Sequence, residues 1–237
     1  MPPPPPGAPR ATAGNALSAW LGSFVVVQVA SVMVLVGTGY ADDVDNVPMS
    51  VNTILVSLMW AVQLVAVAWW ANRATHSSLT EATGLRAVPR DAWWVAVGLG
   101  AQFLLVPLVN WPLSRLFPDD FSAEKVAERA ESLADSAPGA WFAVLAVVVV
   151  IGAPLIEEIV YRGMVQKGFV SSWGAPAGIV VTAALFAAIH MSWAETPALF
   201  VFALVLGVAR HRTGRLGPSI VTHMAFNLAG LVMVAAT

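Results

Sequence analysis

The chain has 237 residues, of which 58% are hydrophobic and only 11% are charged. A soluble domain of this size carries roughly a quarter charged residues, so the surface of this protein is too apolar to be fully solvated. The net charge of −2 argues against a nucleic-acid partner, and the absence of cysteine excludes disulfides, thiol nucleophiles and cysteine metal sites. The composition therefore predicts a protein embedded in a lipid bilayer.

Apolar stretches long enough to cross a bilayer, which takes about 20 residues, recur along most of the chain. We predict spans at residues 16–37, 51–71, 92–110, 139–157, 177–190, 197–210 and 217–236. Residues 139–170 are expected to form one long helix that begins apolar and ends polar. The predicted fold class is all-α, a polytopic transmembrane helix bundle of about seven spans.

Two segments depart from this apolar pattern. Residues 1–15 contain five consecutive prolines, which favour an extended, solvated conformation, so we predict a disordered leader. Residues 121–136 are rich in charges, with Val126, Ala130 and Leu133 at helical spacing, which predicts an amphipathic surface helix. The predicted division is a leader at 1–15, N-terminal transmembrane helices at 16–117, an extramembrane connector helix at 118–138 and a catalytic core at 139–237.

The connections between the spans differ in charge. Residues 38–50 carry three aspartates and no Lys or Arg, whereas residues 72–91 and 210–216 carry three arginines each. Positive charge marks the cytoplasmic side of a membrane protein. We therefore predict a multi-pass protein of the cell membrane with a cytoplasmic N-terminus.

Ionisable residues within the spans are confined to the C-terminal third of the sequence. They are Glu157, Glu158, Arg162, His190 and His223. Each costs roughly 2.5 kcal/mol or more to insert, and such residues usually mark function. On a helix Glu158 and Arg162 are i,i+4 neighbours that can pair, whereas Glu157 is rotated by about 100° and can face elsewhere.

Two further motifs can reach the same level of the bundle. His190 follows Phe186 by one helical turn, and Asn227 follows His223 in the same way. At about 1.5 Å per residue, Glu157 and His190 each lie roughly 20 Å from the turn that joins their helices, so an antiparallel hairpin brings them level. His223 lies closer to the turn before its own helix, and that helix must be offset or tilted for His223 to join them.

A carboxylate, two imidazoles and an amide around one cavity suit hydrolysis of a peptide bond. The carboxylate can activate water, and imidazole or amide N–H groups can stabilise an oxyanion. The same residues could instead bind Zn²⁺ through Glu157, His190 and His223, because one Glu with two His is a known zinc ligand set. Both a metal-dependent and a glutamate-only mechanism remain open at this point.

At these residues the sequence resembles the CPBP intramembrane proteases, which include the type II CAAX prenyl endopeptidases and the bacteriocin-immunity (Abi) proteins. The family motifs EExxxR, FxxxH and HxxxN appear in order as EEIVYR at 157–162, FAAIH at 186–190 and HMAFN at 223–227. The resemblance covers roughly residues 82–232, with its motif core at 139–232.

The resemblance implies an intramembrane endopeptidase and a role for each motif residue. Glu157 would activate water, and Glu158 and Arg162 would support it. His190 would position the water or the substrate, while His223 with Asn227 would form the oxyanion site. The implied partners are the lipid bilayer and a peptide substrate, or a lipidated protein substrate. Two other classes remain as alternatives: a non-catalytic immunity or scaffold protein, and a small transporter that uses a proton relay.

Overall fold

The computed structural model describes residues 10–236, and this part of the chain is built from helices with no β-strand. The helices are α1 (Ala13–Thr38), α2 (Met49–Thr75), α3 (Leu79–Thr83), α4 (Pro89–Leu116), α5 (Pro118–Phe121), α6 (Ala123–Asp135), α7 (Ala140–Trp173), α8 (Ala175–Ile189), α9 (Thr196–Thr213) and α10 (Gly217–Ala235). This architecture confirms the predicted all-α fold class.

Each of the seven predicted spans lies on one of these helices. Among the described residues, five helices are long and apolar enough to cross a membrane, namely α1, α2, α4, α7 and α10. Helix α8 has only 15 residues, and α9 ends in the polar run Arg210, His211 and Arg212. Helix α7 is continuous over 34 residues, as predicted for the segment that begins apolar and ends polar.

The outer faces of the long helices are apolar. More than half of each side chain is exposed for Val32 and Met33 of α1 and for Leu104 and Leu108 of α4. Exposing so much apolar surface to water would be unfavourable. A bilayer would cover these side chains, whereas Glu158 and Arg162 of α7 are buried within the protein. The distribution of exposed residues therefore supports a multi-pass membrane protein.

Helix α1 packs closely against the polar end of α7. The approach requires Gly168, because a Cβ there would lie 2.5 Å from the Ala16 Cβ and 2.6 Å from the Thr12 carbonyl oxygen. Thr12 and Asn15 cap the first turn of α1 reciprocally, so the helix starts at Ala13, within the segment predicted to be a leader. Residues 1–9 lie outside the described residues, and the domain division remains a prediction.

Residues 79–91, which we call the 79–91 segment, are tied to the turn between α9 and α10. The carbonyl oxygens of Gly84 and Arg86 accept hydrogen bonds from the Leu216 and Gly217 N–H groups, at 2.9 and 3.0 Å. Buried Asp91 forms an ion pair with Arg215 of the same turn. These bonds fix the start of α10, the helix that carries the third motif.

The charged segment between α4 and α7 contains the predicted surface helix, α6. Ser122 caps its N-terminus by accepting from the Lys125 N–H, and Lys125 forms an exposed ion pair with Glu128. Of the three apolar positions used to predict its inner face, Val126 is half-buried, while the side chains of Ala130 and Leu133 lie outside the described residues. Helix α6 packs against α10.

Candidate active site

The second glutamate of the first motif is held in a buried ion pair. Helix α7 widens to a π-helix over Glu158–Val165, and every residue of this stretch is buried. The Arg162 Nη1 atom donates to the Glu158 Oε1 atom at 2.9 Å, and both side chains are fully buried. The guanidinium also donates to the Ala203 carbonyl at 3.3 Å and lies 4.4 Å from the centre of the Phe186 ring. The charge of Glu158 is therefore compensated within the protein.

The first glutamate faces a cavity. The Glu157 side chain is 26% exposed, whereas that of Glu158 has no exposure at all. The Glu157 Oε2 atom lies 3.8 Å from the His223 Nε2 atom, a distance that allows an electrostatic contact but is too long for a hydrogen bond. The two adjacent glutamates therefore have different environments: Glu158 is paired with Arg162 in the core, and Glu157 lies beside His223 at the cavity wall.

Hydrogen bonds fix which ring nitrogen of each histidine carries a proton. The His190 Nδ1 atom lies 2.7 Å from the Phe186 carbonyl oxygen, and the His223 Nδ1 atom lies 3.0 Å from Glu158 Oε1. A carbonyl and an ionised carboxylate only accept hydrogen bonds, so each Nδ1 must carry the hydrogen. In the neutral form of either ring, Nε2 therefore has the lone pair and acts as an acceptor.

Asn227 links α10 to α7. Its Nδ2 atom donates to the Val149 carbonyl oxygen at 2.8 Å. Val149 lies in a second π-helical stretch of α7, Val148–Gly152, two turns before the paired glutamates. The amide is half-buried and lines the same cavity as Glu157.

The three motifs converge on one cavity of about 310 Å³. Its polar lining includes Glu157, His190, His223 and Asn227, whereas most of the remaining lining is apolar. Glu157 and His190 thus lie at one cavity, as their equal distances from the turn predict, and His223 lies beside Glu157. A second, larger cavity of about 590 Å³ lies between α1 and α2, but no ionisable group lines it. The geometry therefore favours the smaller cavity as the site of chemistry.

Sequence reasoning missed several residues that line this cavity. Gln102 of α4 and Glu195 at the start of α9 add polar groups, and Val126 of α6 contributes to the wall. Gln102 carried a usable signal, because it is an amide within an apolar span. Glu195 carried none, since a single carboxylate in a short connection normally faces water.

The three residues considered as zinc ligands do not form a ligand set. Within residues 10–236, no group of three or more His, Asp or Glu side chains is placed to hold a metal ion. One nitrogen of each imidazole is engaged by a protein oxygen, which is compatible with ligation, and the 3.8 Å between Glu157 and His223 does not prevent it. The fit fails because no third side chain in the described part of the chain is placed with them.

Comparison with known proteins agrees with this geometry. Residues 139–229 match the family model described as type II CAAX prenyl endopeptidase Rce1-like. These residues form an Rce1-like domain. The match confirms the CPBP relationship inferred from the three motifs, all of which lie inside it. No curated protein and no solved structure matches the chain.

The match over residues 139–229 is to a family of membrane proteases, and at that level it supports a hydrolase that acts on peptides at a lipid bilayer. The matched residues begin at α7 and end within α10. Helices α1, α2 and α4 and the 79–91 segment therefore lie outside the Rce1-like match, although they pack against it.

Proposed function

We propose that this protein is an intramembrane endopeptidase in which Glu157 activates the attacking water. The observation that carries the proposal is the division between two adjacent carboxylates. Glu158 is buried and neutralised by Arg162, while Glu157 faces the cavity beside His223. Only a carboxylate that reaches water and substrate can act as a base, so the first glutamate is the candidate.

The imidazole of His190 is oriented to assist. With its Nδ1–H donated to the Phe186 carbonyl, the neutral ring can accept a hydrogen bond from a water molecule through Nε2. Glu157 would take a proton from that water while the oxygen of the water attacks the carbonyl carbon of the peptide bond. The same proton would then pass to the leaving amine, which regenerates the carboxylate.

The developing oxyanion needs hydrogen-bond donors at the wall of the cavity. Asn227 offers the amide hydrogen that is not bonded to Val149, and His223 offers an Nε2–H when its ring is protonated. Glu158 supports the second role, because it accepts the Nδ1–H of His223 and holds the ring in one orientation. Losing one oxyanion donor costs on the order of 10²–10³ in kcat in well-studied hydrolases.

The lining of the cavity suggests the class of substrate. Apolar side chains such as Leu145, Val149, Leu199 and Phe226 form much of the wall. We propose that an apolar segment of the substrate lies here, either peptide side chains or a lipid attached near the cleavage site. The family match is compatible with the second form, because the description of the matched family names a prenyl endopeptidase.

The proposed orientation follows the positive-inside rule. Arginines cluster in the connections at 72–91 and 210–216, which we place on the cytoplasmic side together with the N-terminus. Reporter fusions at the two termini test this, since the proposal requires a cytoplasmic signal at the N-terminus.

The decisive experiment compares Glu157→Gln with the wild type in proteoliposomes that contain a fluorogenic peptide with an apolar flank. Glutamine keeps the shape of the side chain and removes the base, so cleavage should be lost while thermal stability is retained. Glu128→Gln, which changes an exposed carboxylate of α6, is the matched control. Undiminished cleavage by the Glu157→Gln variant would remove the basis for the proposed mechanism.

A further inference from the structure

A proline interrupts α7 just before the paired glutamates. Pro154 has no N–H, so it cannot donate to a carbonyl in the preceding turn. That turn, Val148–Gly152, is π-helical, and the Ala153 N–H donates to the Val148 carbonyl five residues earlier. In the same pattern the Val149 carbonyl would accept from residue 154. The proline therefore leaves the Val149 oxygen without its intrahelical donor.

The missing donor is supplied from another helix. The Asn227 Nδ2 atom lies 2.8 Å from the Val149 oxygen and replaces the bond that Pro154 cannot make. The hydrocarbon part of a bilayer offers a backbone carbonyl no donor, so this oxygen depends on the protein or on water in the cavity, and losing the Asn227 bond is unfavourable. This hydrogen bond crosses from α10 to α7 next to the cavity, one helical turn from His223.

We infer that Asn227 is a positioning residue that clamps α10 to the π-turn of α7, so that His223 is held against the two glutamates. The clamp has two parts, the carbonyl exposed by Pro154 and the amide that binds it. The inference deepens the proposed function, since the groups it positions are those assigned to peptide hydrolysis. It adds to oxyanion donation, because the amide has a second hydrogen.

A second proline in the chain provides a matched control. In α4 the π-helical turn Ala101–Leu105 is closed by the Val106 N–H bonded to the Ala101 carbonyl, and Pro107 follows. The backbone pattern is that of α7, but among the described residues no side chain is seen to donate to the Gln102 carbonyl. Pro107→Ala therefore restores an N–H in the same kind of turn, at a carbonyl that Asn227 does not bond.

The test is a double-mutant cycle on the purified full-length protein in detergent, with thermal unfolding and peptide cleavage as readouts. Asn227→Ala should lower Tm by roughly 3–10 °C, because it leaves a partly buried carbonyl without its protein donor. It should also lower kcat by at least about 10²-fold, because misplacement of His223 adds an effect of that size to the loss of an oxyanion donor. In the Pro154→Ala background the new N–H can bond to the Val149 carbonyl oxygen. Asn227→Ala should therefore lower Tm by less than half as much as it does in the wild type. The double variant should also regain at least about tenfold in kcat.

The outcomes separate the clamp from its alternatives. In the Pro107→Ala background the effect of Asn227→Ala on Tm should be unchanged. If Asn227→Ala lowers Tm by the same amount in the wild-type and Pro154→Ala backgrounds, the clamp is refuted. Recovery of Tm without any recovery of kcat would show that Asn227 acts only as a direct donor to the substrate, and would refute the positioning role. A wild-type protein that cleaves no peptide but retains the thermal coupling would refute the proposed function and leave the clamp intact.

Discussion

Removal of Arg162 should destabilise the protein more than most single substitutions. The guanidinium is fully buried, forms a 2.9 Å ion pair with Glu158, donates to the Ala203 carbonyl and lies over the Phe186 ring. Arg162→Ala leaves a buried carboxylate without a counter-charge, which costs about 3–5 kcal/mol. For a chain of this length each kcal/mol shifts Tm by roughly 2–4 °C, so the expected fall in Tm is about 10 °C.

The assay is thermal unfolding in detergent, monitored through the fluorescence of the ten tryptophans. Arg162→Lys keeps the charge but not the planar fork, so its Tm should lie between those of the wild type and the alanine variant. Glu158→Gln combined with Arg162→Met removes both charges, and it should recover most of the lost stability while activity stays low because the acceptor for His223 is weakened. A Tm for Arg162→Ala within about 2 °C of the wild type would refute the reasoning.

Three other predictions test the site and the packing around it. Glu157→Gln should keep Tm within about 3 °C of the wild type while peptide cleavage is lost, since its side chain is partly exposed and makes no close ion pair. Protein stripped with a chelator, and shown by elemental analysis to be metal-free, should keep its peptidase activity, because Glu157 and the two histidines do not form a ligand set. Loss of activity that returns only with added Zn²⁺ would contradict this. Gly168→Val should lower Tm by roughly 2–10 °C, because its Cβ would press on α1, whereas Gly22→Ala, which meets nothing within 4 Å, should change Tm little.

Much of the architecture could be predicted because the bilayer imposes simple rules. Length and hydropathy located the helices, and the rarity of ionisable groups in spans singled out Glu157, Glu158, Arg162, His190 and His223. The i,i+4 spacing predicted the Glu158–Arg162 pair, which the structure contains. Helical rise alone placed Glu157 and His190 at one level. All of these features lie within a single helix or one hairpin, where sequence separation translates directly into geometry.

The remaining features depend on contacts between distant segments. Nothing in the spacing of HMAFN shows that its histidine binds Glu158, or that its asparagine binds a carbonyl in α7. The π-helical turns were not predicted either, although Pro154 is a local signal for a disturbed helix. Gln102 and Val126 reach the cavity only because α4 and α6 fold back beside α10. Such tertiary relationships leave no periodic trace in the sequence.

The hydrogen bonds of the 79–91 segment bear on how this protein could be shortened. A fragment cut at residue 139, where the family match starts, would leave the N–H groups of Leu216 and Gly217 without acceptors and Arg215 without Asp91. The beginning of α10 would then lose its anchor, and with it the placement of His223. The smallest piece that can be expected to fold with an intact centre therefore begins upstream of Leu79, well before the recognisable motifs.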